Sequence, residues 1–145
     1  MVLGFTGTRH GMTAAQKKAV TELVREVRPV EAHHGVCVGA DADFHWIVRR
    51  ELPGCRIIGH PGPDEAMQND VVRDDCNELA LPLTNFARNR VIVGAVDYMI
   101  GTPYKMIRET RGGTWYTISH AEKTDKPLSI IWPDGSAKSR GAILL

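Results

Sequence analysis

Apolar and polar positions fall into two alternating rhythms along this chain, short apolar runs and longer helical stretches. Val2-Leu3-Gly4-Phe5 reads as a strand that ends at Thr6-Gly7-Thr8-Arg9. Thr13 then stands as the cap of a helix through about Val27, with Ala14, Val20, Leu23, Val24 and Val27 largely on one face, and Pro29 stops it. Val30 to His34 predicts a second strand, although Val36-Cys37-Val38 fits an extension or replacement of it equally well. Asp41 is expected to cap a helix to about Leu52, with Phe44, Ile47 and Val48 inward.

Cys55 to Gly59 gives a third, buried strand, turned out by His60-Pro61-Gly62-Pro63. Residues 61–83 are long and polar for a connection, so they are a candidate lid or binding loop. A helix is expected from near Thr84 to about Ala95, a fourth strand over Val96 to Ile100, a helix over Thr114 to Thr124 and a fifth strand over Leu128 to Trp132. Pro133-Asp134-Gly135 is a turn, and the pattern assigns nothing to the tail beyond it.

Strands alternating with helices imply right-handed crossovers and a parallel sheet covered on both faces. The expected fold is therefore α/β, a Rossmann-like open parallel sheet of about five strands in the order 3-2-1-4-5, forming one domain over residues 1–145. Such sheets bind ligands beyond the carboxyl ends of their strands, where the order reverses. Here that crevice lies between the loop at Gly7, Thr8 and Arg9 and the loop that leads from Gly101 to Gly112, Gly113 and Thr114.

Composition narrows the functional classes. Eighteen Lys and Arg against 17 Asp and Glu give a net charge of +1, which speaks against a polyanion binder working by bulk charge but leaves room for a local basic pocket. No apolar run approaches the roughly 18 residues of a membrane span, and the start lacks the basic and long apolar regions of a signal peptide. Three scattered cysteines, Cys37, Cys55 and Cys76, read as reduced thiols, so a cytoplasmic location is expected, or the host cytoplasm if the chain is phage-encoded.

Several motifs carry candidate chemistry. Arg111-Gly112-Gly113-Thr114 precedes a helix, where close backbone approach and unpaired N–H groups favour a phosphate; a tight turn with Thr114 as a cap explains it equally well. Thr6-Gly7-Thr8-Arg9 is the matching loop, and Arg9 can pair bidentately with a phosphate, the alternative being a solvated arginine. The G-x-G-x-x-G pattern is absent and no acid ends the second strand to hold a ribose, so conventional NAD binding is not expected. Arg88 and Arg90 cannot share one helical face, so one reaches a ligand at most while the other pairs with an acid or a second subunit; a solvated basic patch is the simpler alternative.

Asp41, Asp43 and His45 spread around a helix rather than converging, so no metal site is expected there. His33, His34 and His60 sit at strand ends and read as structural or rim histidines. Ser119-His120 lacks the nucleophile elbow of a hydrolase.

Taken in order, Gly7-Thr8-Arg9, His34-Gly35 with Gly39-Ala40-Asp41, Arg88-Asn89-Arg90 and Arg111-Gly112-Gly113-Thr114-Trp115-Tyr116-Thr117 resemble the SLOG superfamily. That grouping joins the DNA-processing Smf/DprA proteins with the Lonely Guy cytokinin-activating phosphoribohydrolases, and includes small stand-alone members in bacteria and phages. The resemblance runs from Gly4 to about Pro133. It implies the same Rossmann-like sheet, a nucleotide-type ligand in the same crevice and a homodimer. It also implies that the loops at Gly7 to Arg9 and Gly112 to Thr114 surround phosphate and ribose.

Arg88 stands where the phosphoribohydrolases keep the arginine of R-K-x-x-M, while Arg88-Asn89-Arg90 is closer to the R-N-R of the DNA-processing branch. Aligning P-G-G-x-G-T-x-x-E on Thr114 puts Thr117 in place of the catalytic glutamate, and a threonine hydroxyl is no carboxylate acid/base near neutral pH.

The expected function is therefore binding of a nucleotide or nucleotide-derived metabolite, for sensing, carrying or sequestering, with no further cofactor. The binding set is Gly7, Thr8, Arg9, Gly39, Asp41, Arg88, Arg90, Gly112, Gly113, Thr114 and Thr117. The alternative is an N-glycosidase in which Asp41, or an acid of residues 61–83, substitutes for the missing glutamate; a single-stranded nucleic-acid binder stands third. A membrane partner is not expected.

Overall fold

The computed structural model describes residues 1–141, so the last four residues of the domain expected over 1–145 lie outside the described residues. The chain forms β1 (Val2–Gly7), α1 (Ala14–Val27), β2 (Glu31–His34), α2 (Ala40–Glu51), β3 (Arg56–Gly59), α3 (Asp70–Asp75), β4 (Glu78–Leu79), α4 (Asn85–Ala95), β5 (Tyr98–Thr102), α5 (Gly113–Lys123), β6 (Leu128–Ile131) and β7 (Ala137–Arg140). These strands make one sheet in the order β4-β3-β2-β1-β5-β6-β7, parallel throughout except for the β6–β7 pair. Its inner five strands follow the expected 3-2-1-4-5 order. The count of about five rises to seven because β4 and β7 extend the two edges. Both added strands are exposed, so neither carries the apolar signature of a buried strand.

Helices cover both faces. On one, Val20 and Val24 of α1 and Phe44, Ile47 and Val48 of α2 pack on Leu3, Phe5, Ile57 and Ile100. On the other, Ile92 and Val93 of α4 and Trp115, Ile118 and Ala121 of α5 pack on Met99, Leu128 and Ile130. Helix α1 starts with a reciprocal capping box, in which the Thr13 hydroxyl accepts from the Gln16 N–H and the Gln16 side chain accepts from the Thr13 N–H. The same buried Gln16 amide donates to the carbonyls of Pro103 and Ile131, tying α1 to the loop that follows β5.

Four local expectations are corrected. Asp41 does not cap α2: the cap is Gly39, at φ +89°, and Asp41 lies inside the first turn. The fourth predicted strand shifts by two residues, because Val96 ends α4 and the strand runs from Tyr98 into Gly101 and Thr102. Residues 61–83 contain a single 3₁₀ turn (Glu65–Met67), α3 and β4. The alternative second strand at Val36 to Val38 is absent: β2 ends at His34, and Cys37 makes only an isolated bridge with Gln68. Among the described residues no helix is long and apolar enough to cross a membrane.

Candidate functional site

At the carboxyl ends of the central strands lies a cavity of about 670 Å³, within the roughly 300–1,000 Å³ common for small-molecule sites. One wall is the end of β1, with Gly7, Thr8 and Arg9; the opposite wall is Gly112, Gly113 and Thr114 at the start of α5. They meet because β1 and β5 are neighbours, with Gly7 opposite Thr102. Gly7 lacks room for a side chain, since a Cβ there would collide with the Thr102 hydroxyl and with Ala40.

The α5 wall is an open donor site. Gly112 sits at φ +97°, and no side chain caps the helix. The first N–H groups of α5 therefore lack intrahelical partners at the positive end of the dipole. A Cβ on Gly112 would meet no other atom within 4 Å, so the approach is clear.

Seven of the twelve arginines pair with an acid among the described residues; Arg28 and Arg90, away from the cavity, do not, and neither do the three that line it. Arg25, Arg49, Arg50, Arg56, Arg73, Arg108 and Arg140 each pair with an acid. Arg9, Arg88 and Arg111, which line the cavity, form no ion pair among the described residues, nor does Lys105 beside them. Arg9 and Arg111 are exposed, whereas Arg88 is only 6% exposed.

Arg88 is held by the loops after β2 and β3. Its Nη1 donates to the carbonyls of Gly35 (3.1 Å) and His60 (3.0 Å), and its Nε donates to the Asn89 side chain (2.6 Å). The loop after β2 is itself strained, with buried Val36 at φ +52°, a conformation that costs a β-branched residue on the order of 1–3 kcal/mol. The backbone N–H groups of residues 35–38 are all used. The N–H groups of Gly35 and Cys37 donate to Asp41 Oδ2 (3.1 and 3.2 Å), and that of Val36 donates to His34 Nδ1 (2.9 Å). Burial pushes the Asp41 carboxyl above its usual range, and the Arg88 charge opposes that shift. The Cys37 thiol is pushed up to about 12, by burial and by Asp41, so it stays protonated at neutral pH.

The expected binding residues divide into two groups. Gly7, Thr8, Arg9, Asp41, Arg88, Gly112, Gly113 and Thr114 line the cavity; Gly39, Arg90 and Thr117 do not. Gly39 supports the site from behind, since a Cβ there would strike the Arg9 carbonyl, while the Ala40 N–H bonds to Thr8 O at 2.9 Å. Arg90 points outward and donates to the Tyr116 hydroxyl. Thr117 is 1% exposed, and its hydroxyl donates to the Gly113 carbonyl one turn back at 2.8 Å.

Sequence reasoning missed the side-chain network behind the loop. His34 Nε2 faces His45 Nδ1 at 2.9 Å, and His45 Nε2 faces Asp75 Oδ2 at 2.7 Å. Since His34 Nδ1 accepts from Val36, its proton is on Nε2; that proton is donated to His45, which donates in turn to Asp75. His34, His45 and Cys76 place three potential ligand atoms within 4.8 Å of one another. A metal on both facing nitrogens would require His34 to lose its remaining proton while still accepting from Val36, so the arrangement suits a hydrogen-bonded relay instead. Burial lowers the pKa of His34, His45 and His60, the last to about 4.

No family model matches the chain. No curated protein matches it either. Among solved structures, the X-ray structure of DNA processing protein A (DprA) from Streptococcus pneumoniae is similar over 98% of this chain, at a TM-score of 0.66 and 20% sequence identity. This chain covers 51% of that one, about half its length. At that identity the likeness is one of fold, and it bears out the α/β, Rossmann-like architecture expected from the strand pattern and from the SLOG resemblance.

Proposed function

We propose that this protein binds a nucleotide or nucleotide-derived metabolite in the cavity between the β1 and α5 loops. One observation carries the reading: the unpaired arginines and the uncapped N-terminus of α5 converge on one cavity of nucleotide size. The phosphate takes the Gly112, Gly113 and Thr114 donors with Arg111, and Arg9 reaches it from the opposite wall.

The same geometry bears on the enzymatic alternative. Thr117 Oγ1 is buried and committed to the helix backbone, so it offers no group to a glycosidic bond. Under this reading nucleotides stay intact in the presence of the protein.

A second reading has one feature in its favour. Phe86 stacks on Tyr116 at a centroid distance of 4.1 Å, and Arg90 donates to that tyrosine on the exposed surface of α4 and α5. Aromatic faces beside a cation suit a single-stranded nucleic acid, and the fold is shared with a DNA processing protein.

Mass spectrometry of small molecules released from the purified, denatured protein tests the first reading, which predicts a nucleotide-type ligand. The expected companion result is a rise in Tm with nucleoside 5′-monophosphates and no release of free base over hours. Tight, salt-resistant binding of single-stranded DNA that depends on Arg90 and Phe86 would favour the second reading instead.

A further inference from the structure

The acid that the end of β2 lacks is supplied by the first turn of α2. We propose that Asp41 Oδ1, facing the cavity beside Arg88 and the Thr8 loop, recognises the hydroxyl pair of a ribose; this rests on the nucleotide reading and makes the site selective for ribonucleotides.

Asp41 is only 6% exposed and lines the cavity. Its two oxygens are in different situations. Oδ2 accepts the N–H groups of Gly35 and Cys37, which fixes the orientation of the carboxylate. Oδ1 accepts from no N–H or O–H group among the described residues, and the Cys37 thiol, which bonds the Gly35 carbonyl at 3.4 Å, is the other donor beside the carboxylate. Oδ1 is also absent from the polar atoms that are sealed from solvent without a partner, Thr102 Oγ1 and Trp115 Nε1. With Oδ2 filled, Oδ1 is the oxygen left to a ligand in the cavity that Asp41 lines. No arginine or lysine lies within ion-pair distance of it among the described residues.

The two N–H donors on Oδ2 favour the charged form of Asp41 against burial, and a carboxylate accepts hydrogen bonds only and repels phosphate. The part of the ligand beside Asp41 must then carry neutral donors, which in a nucleotide are sugar hydroxyls or base amino groups. Position favours the sugar. The residue before Asp41 bonds directly to Thr8 of the β1 loop, and Asn89, next to Arg88, lies 3.7 Å from a Cβ built on Gly113. Asp41 thus sits beside the β1 wall and lines the same cavity as the α5 wall. The stacked rings of His10 and Tyr104, 4.3 Å apart, provide the aromatic surface at the cavity that suits a base better than a carboxylate does.

The test is isothermal titration of the protein with AMP, GMP, CMP and UMP, each beside its 2′-deoxy and 2′-fluoro-2′-deoxy form. The expected result is a ribonucleotide preference of roughly tenfold or more, the worth of a hydrogen bond to a charged acceptor. The fluoro form should behave like the deoxy form, because fluorine cannot donate. In Asp41→Asn the preference should fall several-fold, since a neutral amide, which a hydroxyl can still meet as an acceptor, replaces the charged acceptor. Should that variant not fold, the comparison of the three sugars on the unmodified protein decides alone. Equal affinity for the three sugars, with Arg111→Ala weakening all of them, would overturn the sugar assignment while leaving nucleotide binding intact. No binding of any probe would overturn the nucleotide reading, and the sugar assignment with it.

Discussion

The two sides of the cavity use similar residues for opposite purposes. On the α5 side, Arg111, Gly112 and Gly113 are exposed, the helix is uncapped and the arginine has no acid among the described residues. On the β2 side, Gly35, Asp41 and Arg88 are wired together: backbone N–H groups fill one carboxylate oxygen, and two backbone carbonyls hold the guanidinium. Each side has a glycine and an arginine. One keeps its donors free, while the other spends most of them on itself. Residues of the first kind set affinity at little cost to stability, and those of the second hold the shape against which a ligand fits.

The largest effect should come from breaking the wired side. Arg88→Ala removes the donor from the buried carbonyls of Gly35 and His60 and frees a loop already strained at Val36. A loss of about 3 kcal/mol is expected, read by chemical denaturation at neutral pH. A loss below about 1 kcal/mol would mean that the loop holds without its arginine.

Acid should act on the same side. His34, His45 and His60 have folded-state pKa values below the ordinary 6.5, so the unfolded chain binds more protons as the pH falls through that value. Their stabilising contribution is complete above about pH 7 and is lost progressively down to about pH 4, the value for His60. Asp41, shifted upward, works in the opposite direction, gaining protons in the folded state as pH drops towards the carboxylate range. Denaturation midpoints between pH 7.5 and 4.5 should fall by the equivalent of about 1–3 kcal/mol. A flat profile over that range would contradict the buried relay.

The open side should respond differently. Arg111→Ala and Arg9→Ala are expected to leave stability within about 0.5 kcal/mol, because neither side chain has a bond to lose among the described residues. Each should weaken nucleoside monophosphate binding by roughly tenfold and reduce the ligand-induced rise in Tm. The smallest effect belongs to Thr117→Val, which keeps the buried shape and removes only a hydroxyl bonded within its own helix. Stability should change by less than about 1 kcal/mol and nucleotide binding not at all.

This contrast also sets what could be read from sequence. The open loops were legible, because glycines, threonines and arginines at strand ends announce their donors whether or not a structure is known. The inner sheet was legible for the same reason as α1: apolar periodicity and a cap at Thr13 act locally. Asp41 was misread as a cap, since an acid ahead of an apolar helix predicts one. The backbone it holds lies at Gly35 and Cys37, before its own helix, and the turn at Gly39 brings it there. The histidine relay depends on Asp75, thirty residues beyond His45 on α3. Residues 61–83 hid that helix and β4 because both are short and mostly polar, so no period develops.

Amide NMR during titration with nucleoside 5′-monophosphates tests the central claim most directly, because the proposed phosphate donors are themselves backbone N–H groups. The account predicts saturable shifts at Gly112, Gly113 and Thr114, accompanied by Gly7 to Arg9, and their loss in Arg111→Ala while the rest of the spectrum is preserved. Shifts confined to Phe86, Arg90 and Tyr116, or none at saturating nucleotide, would contradict it.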